Sequence, residues 1–393
     1  MAFTTILGSG GAPDSFVGTA GIDAIAFAAS RASYFLGAQG DNDVVAWVGT
    51  DQMDITVTNA TIRGGGGNDF FTVADALFAS VVINGNAGND VFQFWPGPTD
   101  FLGSTLYGGQ GDDLILLDDV SSSLINGNKG NDYINVGDDG DLIANASIFG
   151  GQGDDTIKLW GEILNTVVNG DLGDDYIGSG FEGTTAFVAS GNDGADTVCG
   201  GAADDTLYGN EGSDFVAGNG GSDTIVGGRG SDTLYAEYYE DNGRFGVDGE
   251  NLFIFNAGDS FAATAGAGNS VTFGNGVDWI VDYSEALDSV EYNGTSFDFE
   301  GAGAVGFARI VNGSYVIEQA SANGLVVVLG TFDRDNQTFT DSFTDNDNDV
   351  LWFASAAGVG STLNATQVEA FVATTDDLVL ASVGGEQWFQ YAW

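Results

Sequence analysis

The chain has 393 residues, 43% of them apolar, enough for one large domain or two to three ordinary ones with a substantial core. Fifty-seven acids face eight bases and no histidine, a formal charge of −49. That balance argues against tracking a phosphate backbone or inserting into an anionic membrane, and the high aliphatic and aromatic content argues against disorder. Apolar runs such as Leu325 to Leu329 are far short of a membrane span. Self-repulsion on this scale calls for bound cations. The single cysteine, Cys199, allows no intrachain disulfide, and without histidine it argues against zinc. Glycine occurs 63 times against three prolines, with no G-X-Y period, so it is expected in tight turns.

In chain order, Met1 to Gly11 shows no basic region and no apolar run of signal-peptide length. A nonapeptide unit, G-G-x-G-x-D-x-U-x with U apolar, then recurs as far as Tyr235. A degenerate copy (SGGAPDSFV) precedes GTAGIDAIA at Gly18, which contains Asp23. At Gly37, GAQGDNDVV has Asn42 in the aspartate position between Asp41 and Asp43. Single copies start at Gly64, Gly85, Gly108, Gly127, Gly150 and Gly170, at nearly even intervals of rather more than two nonapeptides. Five tandem copies then run from Gly191 to Tyr235.

The spacing predicts an uneven roll. From Gly191, two nonapeptides make one coil, with a loop on each edge. Over 64–190 each longer coil carries a single loop. Here the loops are expected down one edge and irregular turns down the other. The U positions, Phe71, Phe92, Ile115, Ile134, Ile157, Ile177, Val198, Leu207, Val216, Ile225 and Leu234, should point inward. So should a second apolar set just before each glycine start: Ile62, Ile83, Leu106, Ile125, Ile148 and Val168. Coils stacked at about 4.8 Å share their core, because no repeat buries its apolar face alone.

The aspartates of these loops are the candidate metal ligands: Asp23, Asp69, Asp90, Asp113, Asp132, Asp155, Asp175, Asp196, Asp205, Asp214, Asp223 and Asp232. Calcium suits them as a hard cation that takes six to eight oxygens, here from carboxylates and glycine-exposed carbonyls. About ten ions are expected, and their binding should be coupled to folding.

These copies resemble the RTX, or hemolysin-type, calcium-binding repeat family over about residues 9–235. The resemblance implies an all-β fold, a right-handed parallel β-roll with calcium-binding nonapeptide loops. It is followed over 236–393 by a β-rich cap or assembly region. The segments 251–259 (NLFIFNAGD) and 277–292 (VDWIVDYSEALDSVEY) resemble the cap that follows such arrays. The resemblance also implies an extracellular or cell-surface location reached by type I secretion without an N-terminal signal peptide. No Lys or Arg follows Arg334, which fits such an export tail.

The remaining C-terminal region alternates short apolar runs, Ser314 to Glu318 and Gly324 to Leu329, suggesting a β-sandwich or a continued irregular roll. Asp345, Asp347 and Asp349 resemble an EF-hand start, but Val350 stands where glycine is needed and Ala356 where the closing Glu belongs. Trp352, Trp388 and Trp393 suit either contacts between subunits or a domain core.

Without histidine, H-E-x-x-H and Ser-His-Asp chemistry are impossible. A carboxylate pair such as Asp282 with Glu285 could in principle serve a glycosidase, but reads as surface or cap acids. The reading is therefore not an enzyme but a calcium-stabilised extracellular structural protein, a surface-layer, matrix or filament subunit. Its expected partners are copies of itself and cell-surface polysaccharide. The alternatives are a calcium-dependent adhesin or carbohydrate-binding protein, a virion structural protein, and a carboxylate-based carbohydrate-active enzyme.

Overall fold

A computed structural model describes residues 55–72, 76–94, 100–138, 140–179, 186–237, 249–259, 263–297 and 305–374, with short gaps at 267, 274–276, 282, 284–286, 323, 342–348 and 366–369. It also gives the backbone of strands at 3–6, 14–17, 24–27, 34–37, 44–47, 380–383 and 386–389. The described residues contain strands and no α-helix. Two compact units divide the chain, residues 1–206 and 207–393. Asp23, Asn42, Asp282, Glu285, Asp345, Asp347, Trp393 and the side chain of Trp388 lie outside the described residues.

In the first unit each coil from Thr61 to Leu164 runs through three parallel sheets. One coil is Thr61–Gly66, Phe70–Thr72 and Ala76–Ala79; the next is Val82–Ala87, Val91–Gln93 and Asp100–Leu102. The register places like on like: Ile83 beside Ile62, Phe92 beside Phe71, Phe101 beside Phe78. The Phe71 and Phe92 rings stack at 4.7 Å, which is the strand spacing itself. Every expected inward residue of both apolar sets is fully buried.

The third sheet corrects the expectation of irregular turns on the far edge. Its six parallel strands run from Ile55–Thr58 to Glu162–Leu164. Each coil buries a large apolar residue there: Val57, Phe78, Phe101, Val120, Ile143 and Ile163. A coil longer than two nonapeptides has room for a third short strand, and burying that side chain favours one. The corner back to the next coil is a left-handed residue three positions before the pre-glycine apolar residue: Asn59, Ser80, Gly103, Ser122, Asn145 and Asn165, with φ between 49° and 59°. Asparagine and glycine tolerate this region best.

In the second unit the parallel pairing continues beyond the recognisable repeats. Thr233–Tyr235 pairs with Trp279–Val281, and Thr224–Gly230 pairs with Leu252–Phe255, which in turn pairs with Ser289–Tyr292. The unit therefore begins inside the tandem array, because these repeats find their neighbours downstream. Trp279–Val281 also pairs with Phe371–Thr374 and so joins an antiparallel set. In that set Leu325–Asp333 pairs with Asp349–Ala354 and Gly306–Val311 with Ser314–Gln319. Parallel coils thus extend through Leu252–Phe255, Trp279–Val281 and Ser289–Tyr292, and antiparallel pairs occupy the stretch that follows. Phe273, Tyr315, Val328, Phe339 and Phe353 lie in its core. Trp352 is 1% exposed and meets Tyr283 edge-on at 5.1 Å, so it serves a core.

Candidate metal-binding loops

Each repeat G-G-x-G-x-D begins as a strand and breaks into a loop. Position four has positive φ in the loops that begin at Gly64 through Gly191, for instance Gly67, Gly88, Gly111 and Gly130. Position two also has positive φ, as Gly65, Gly109 and Gly151 or as Asn86, Asn128 and Asp171. Position one needs glycine for a different reason. A Cβ on Gly85, Gly108, Gly127 or Gly150 would fall on the Oδ2 of its own repeat's aspartate and on the carbonyl oxygen of the first glycine one coil later.

The sixth-position aspartates form a ladder. The backbone N–H of Asp69 donates to Asp90 Oδ1, that of Asp90 to Asp113, and so on through Asp132, Asp155 and Asp175 to Asp196, each at 2.7–2.8 Å. All seven residues are buried. The other oxygen, Oδ2, of Asp90, Asp113, Asp132, Asp155, Asp175 and Asp232 is buried and accepts no hydrogen bond among the described residues. Burial is the main cause that lifts the ladder's carboxyls: Asp90 and Asp196 to about 6, Asp132, Asp155 and Asp175 to about 7, and Asp113 to about 8. The hydrogen bond from the preceding coil opposes the shift in every case.

A second ladder uses position five, which the motif leaves open. Here the side chain accepts from the next coil: Asn68 from Asn89 N–H, Asn89 from Asp112, Asp112 from Asn131, Asn131 from Asp154, Asp154 from Asp174, and Asp174 from Ala195. The adjacent pair Asn/Asp-Asp thus binds both ways along the stack. The recurrence of Asn or Asp at position five was the available signal.

The second unit contains two further ladders. Asp214 N–H donates to Asp232 and Asp232 N–H to Asp278; Asp223 N–H donates to Asn251 and Asn251 N–H to Asp288. Asn251, Asp278 and Asp288 were absent from the sequence-derived set: Asn251 follows Gly246 and Gly249 but is not an aspartate, Asp278 follows Gly274 and Gly276 without a glycine at position one, and no glycine loop precedes Asp288. Their signal is the surviving half-motif, an acid or amide two positions before a buried Phe253, Ile280 or Val290.

The Asp205 loop is built differently. Its fourth position is Ala203, Oδ2 accepts from Gly201 N–H, and Oδ1 accepts from Phe187 N–H. Burial raises this carboxyl to about 7 against those two hydrogen bonds.

No group of three or more acidic, histidine or cysteine side chains that could hold a metal occurs among the described residues. A cation here must therefore draw most of its oxygens from the backbone. The geometry favours that division. Above Gly85, the unbonded Oδ2 of Asp90 and the carbonyl of Gly108 converge; Asp113 with Gly127, Asp132 with Gly150 and Asp155 with Gly170 repeat the arrangement. Buried oxygens with no donor between them suit a hard divalent cation with oxygen ligands.

The fold and loops define a parallel β-roll clasped by aspartate ladders, with an oxygen-only site repeated from coil to coil. Residues 59–74, 104–119, 122–143, 145–162, 190–225 and 217–237 match the RTX calcium-binding nonapeptide repeat, so over these stretches the chain carries the repeats of that family. No curated protein matches the chain. When bound, calcium supplies the positive charge that the buried carboxylates lack. From Asp90 to Asp175 the chain holds each Oδ1 by a backbone N–H, and Oδ2 would be the oxygen left for the ion.

Proposed function

We propose that this protein is a calcium-stabilised structural protein that acts outside the cell and assembles with copies of itself into a surface layer, matrix or filament. One observation carries the reading. In the buried ladder from Asp69 to Asp196, the Oδ2 atoms of Asp90, Asp113, Asp132, Asp155 and Asp175 meet no donor, which makes the roll conditional on a divalent cation. Millimolar calcium is an extracellular condition, and export by a type I route fits a roll that stays open until it meets calcium.

Self-association is supported by the outward faces of the first unit. Leu102, Trp160, Leu164 and Leu172 are each 40–46% exposed and leave large apolar side chains available for contact with another copy. The absence of histidine supports a protein whose product is its shape rather than a reaction. The test is negative-stain electron microscopy of the purified protein in EGTA and in millimolar Ca²⁺. Sheets or filaments that form only with calcium are expected. Persistent monomers in calcium overturn the assembly reading, and unchanged circular dichroism and melting in EGTA overturn the calcium roll beneath it.

A further inference from the structure

One of the sequence-predicted metal loops, Gly200 to Asp205, does not share the geometry of the others. In the tandem loop Gly218 to Asp223, positions two and four are left-handed, as Asn219 and Gly221, and Asp223 Oδ2 stands over Gly218. The ladder loops of the first unit follow the same pattern. The corresponding residues here, Gly201 and Ala203, are not left-handed. Ala203 carries a Cβ that disfavours that region, but Gly201 is free to adopt it and does not.

The carboxylate is used up by this backbone. The Gly201 N–H donates to Asp205 Oδ2 at 2.7 Å, within the loop itself. Oδ1 accepts the N–H of Phe187, eighteen residues earlier, at 3.0 Å, and the Thr206 N–H donates to the Phe187 carbonyl at 3.0 Å. Phe187 and Asp205 are both buried. In the ladder loops Oδ2 lies beside a carbonyl oxygen, an arrangement that invites a cation. Here Oδ2 lies beside an amide proton, which repels one. Hydrogen bonds to an ionised carboxylate are roughly twice as strong as neutral ones, so the two N–H groups are effective substitutes for a metal.

We propose that the Asp205 loop is not a calcium site but a metal-independent latch, which holds residues 187–206 closed through hydrogen bonds when the aspartate ladders have lost their ions. The contrast, though not the latch, rests on the calcium reading of the other loops. Its consequence is a coil that stays ordered in low calcium, a local unit of stability in a roll whose other loops need metal.

The test is amide hydrogen exchange of the full chain in EGTA and in millimolar Ca²⁺, with metal content and melting of two variants. In EGTA the Phe187 and Gly201 amides are expected to exchange about tenfold more slowly than those of Asp90 and Asp113, or slower still. Asp205→Asn removes one of the two acceptors. It should lower the melting temperature equally in both buffers and bind as many ions as the parent, whereas Asp113→Asn should bind fewer. The latch is overturned if Phe187 and Gly201 exchange in EGTA as fast as Asp90 and Asp113. It is also overturned if Asp205→Asn loses an ion or is destabilised only in calcium. Slow exchange at all four amides in EGTA would uphold the latch and contradict the calcium dependence of the ladder, so the two readings fail separately.

Discussion

Asp113 accepts the backbone N–H of Asp90 through Oδ1 at 2.7 Å, while its Oδ2 stands over the α-carbon of Gly108, buried and without a donor. One oxygen joins adjacent coils whatever the conditions. The other is a charge that favours folding only when something neutralises it.

Asp113→Asn should separate the two roles. The amide oxygen can still accept from Asp90, and the buried charge is gone. In EGTA at pH 8 the variant is expected to melt at or a few degrees above the parent. In saturating calcium it should melt several degrees below, since about 1 kcal/mol shifts a unit of this size by roughly 2–4 °C. Thermal melts in both buffers check the crossover, and a variant destabilised equally in both refutes the division of labour.

The pH dependence of the metal-free protein has a definite sign. These carboxyls are lifted from an ordinary 3.8 to about 6–8 in the folded state, so the folded state binds more protons than the unfolded one in that window. Their contribution to stability without calcium is therefore fully present below about pH 4 and is lost as pH rises through 6–8. Calcium requires the ionised form, so its affinity should rise over the same window with release of protons. Denaturant titrations in EGTA at pH 5.5 and 8, and calorimetry in two buffers of different ionisation enthalpy, measure both. Equal metal-free stability at the two pH values contradicts the burial of these acids.

The glycines differ in cost. Gly108→Ala places a methyl group on Asp113 Oδ2 and the Gly127 carbonyl, whereas a methyl group on Gly66, at position three of its loop, meets nothing within 4 Å. Gly108→Ala should lower stability by about 2–4 kcal/mol, in the range of overpacking and lost buried hydrogen bonds. Gly66→Ala should change it by less than about 0.5 kcal/mol. Chemical denaturation in calcium compares them.

Position five is a backbone acceptor on an exposed loop. Asp112→Asn should be nearly neutral, since the Asn131 N–H keeps its acceptor, and Asp112→Ala should cost about 1 kcal/mol. Amide exchange at Asn131 reports the same bond directly: protection falls in the alanine variant and stays in the asparagine one.

Much of this was legible in the chain. A motif repeated at near-constant spacing fixes strand, loop and inward side chain together, because each coil faces the same environment as the last. That is why Phe71 through Leu234 were all placed correctly as core. The third sheet was not legible. Its strands are very short and carry one large buried apolar residue each, with left-handed Asn, Ser and Gly corners too varied to stand out. Asp278 and Asp288 were hidden because their register is set by pairing with Thr233–Tyr235 and Leu252–Phe255.

The sequence by itself determined the repeat, the inward face and the aspartates that clasp the coils. Local chemistry suffices there: glycine where a Cβ collides or φ is positive, and aspartate where an oxygen must reach a neighbouring coil. Only the tertiary structure decided what each carboxylate oxygen does. Asp113 and Asp205 occupy the same motif position, in loops that differ at position four (Gly111 and Ala203), yet only the structure shows that the Gly201 N–H satisfies Asp205 Oδ2 and that no donor among the described residues reaches that of Asp113. The difference depends on which backbone group the stacking of coils brings within reach, and that is set by register rather than by composition.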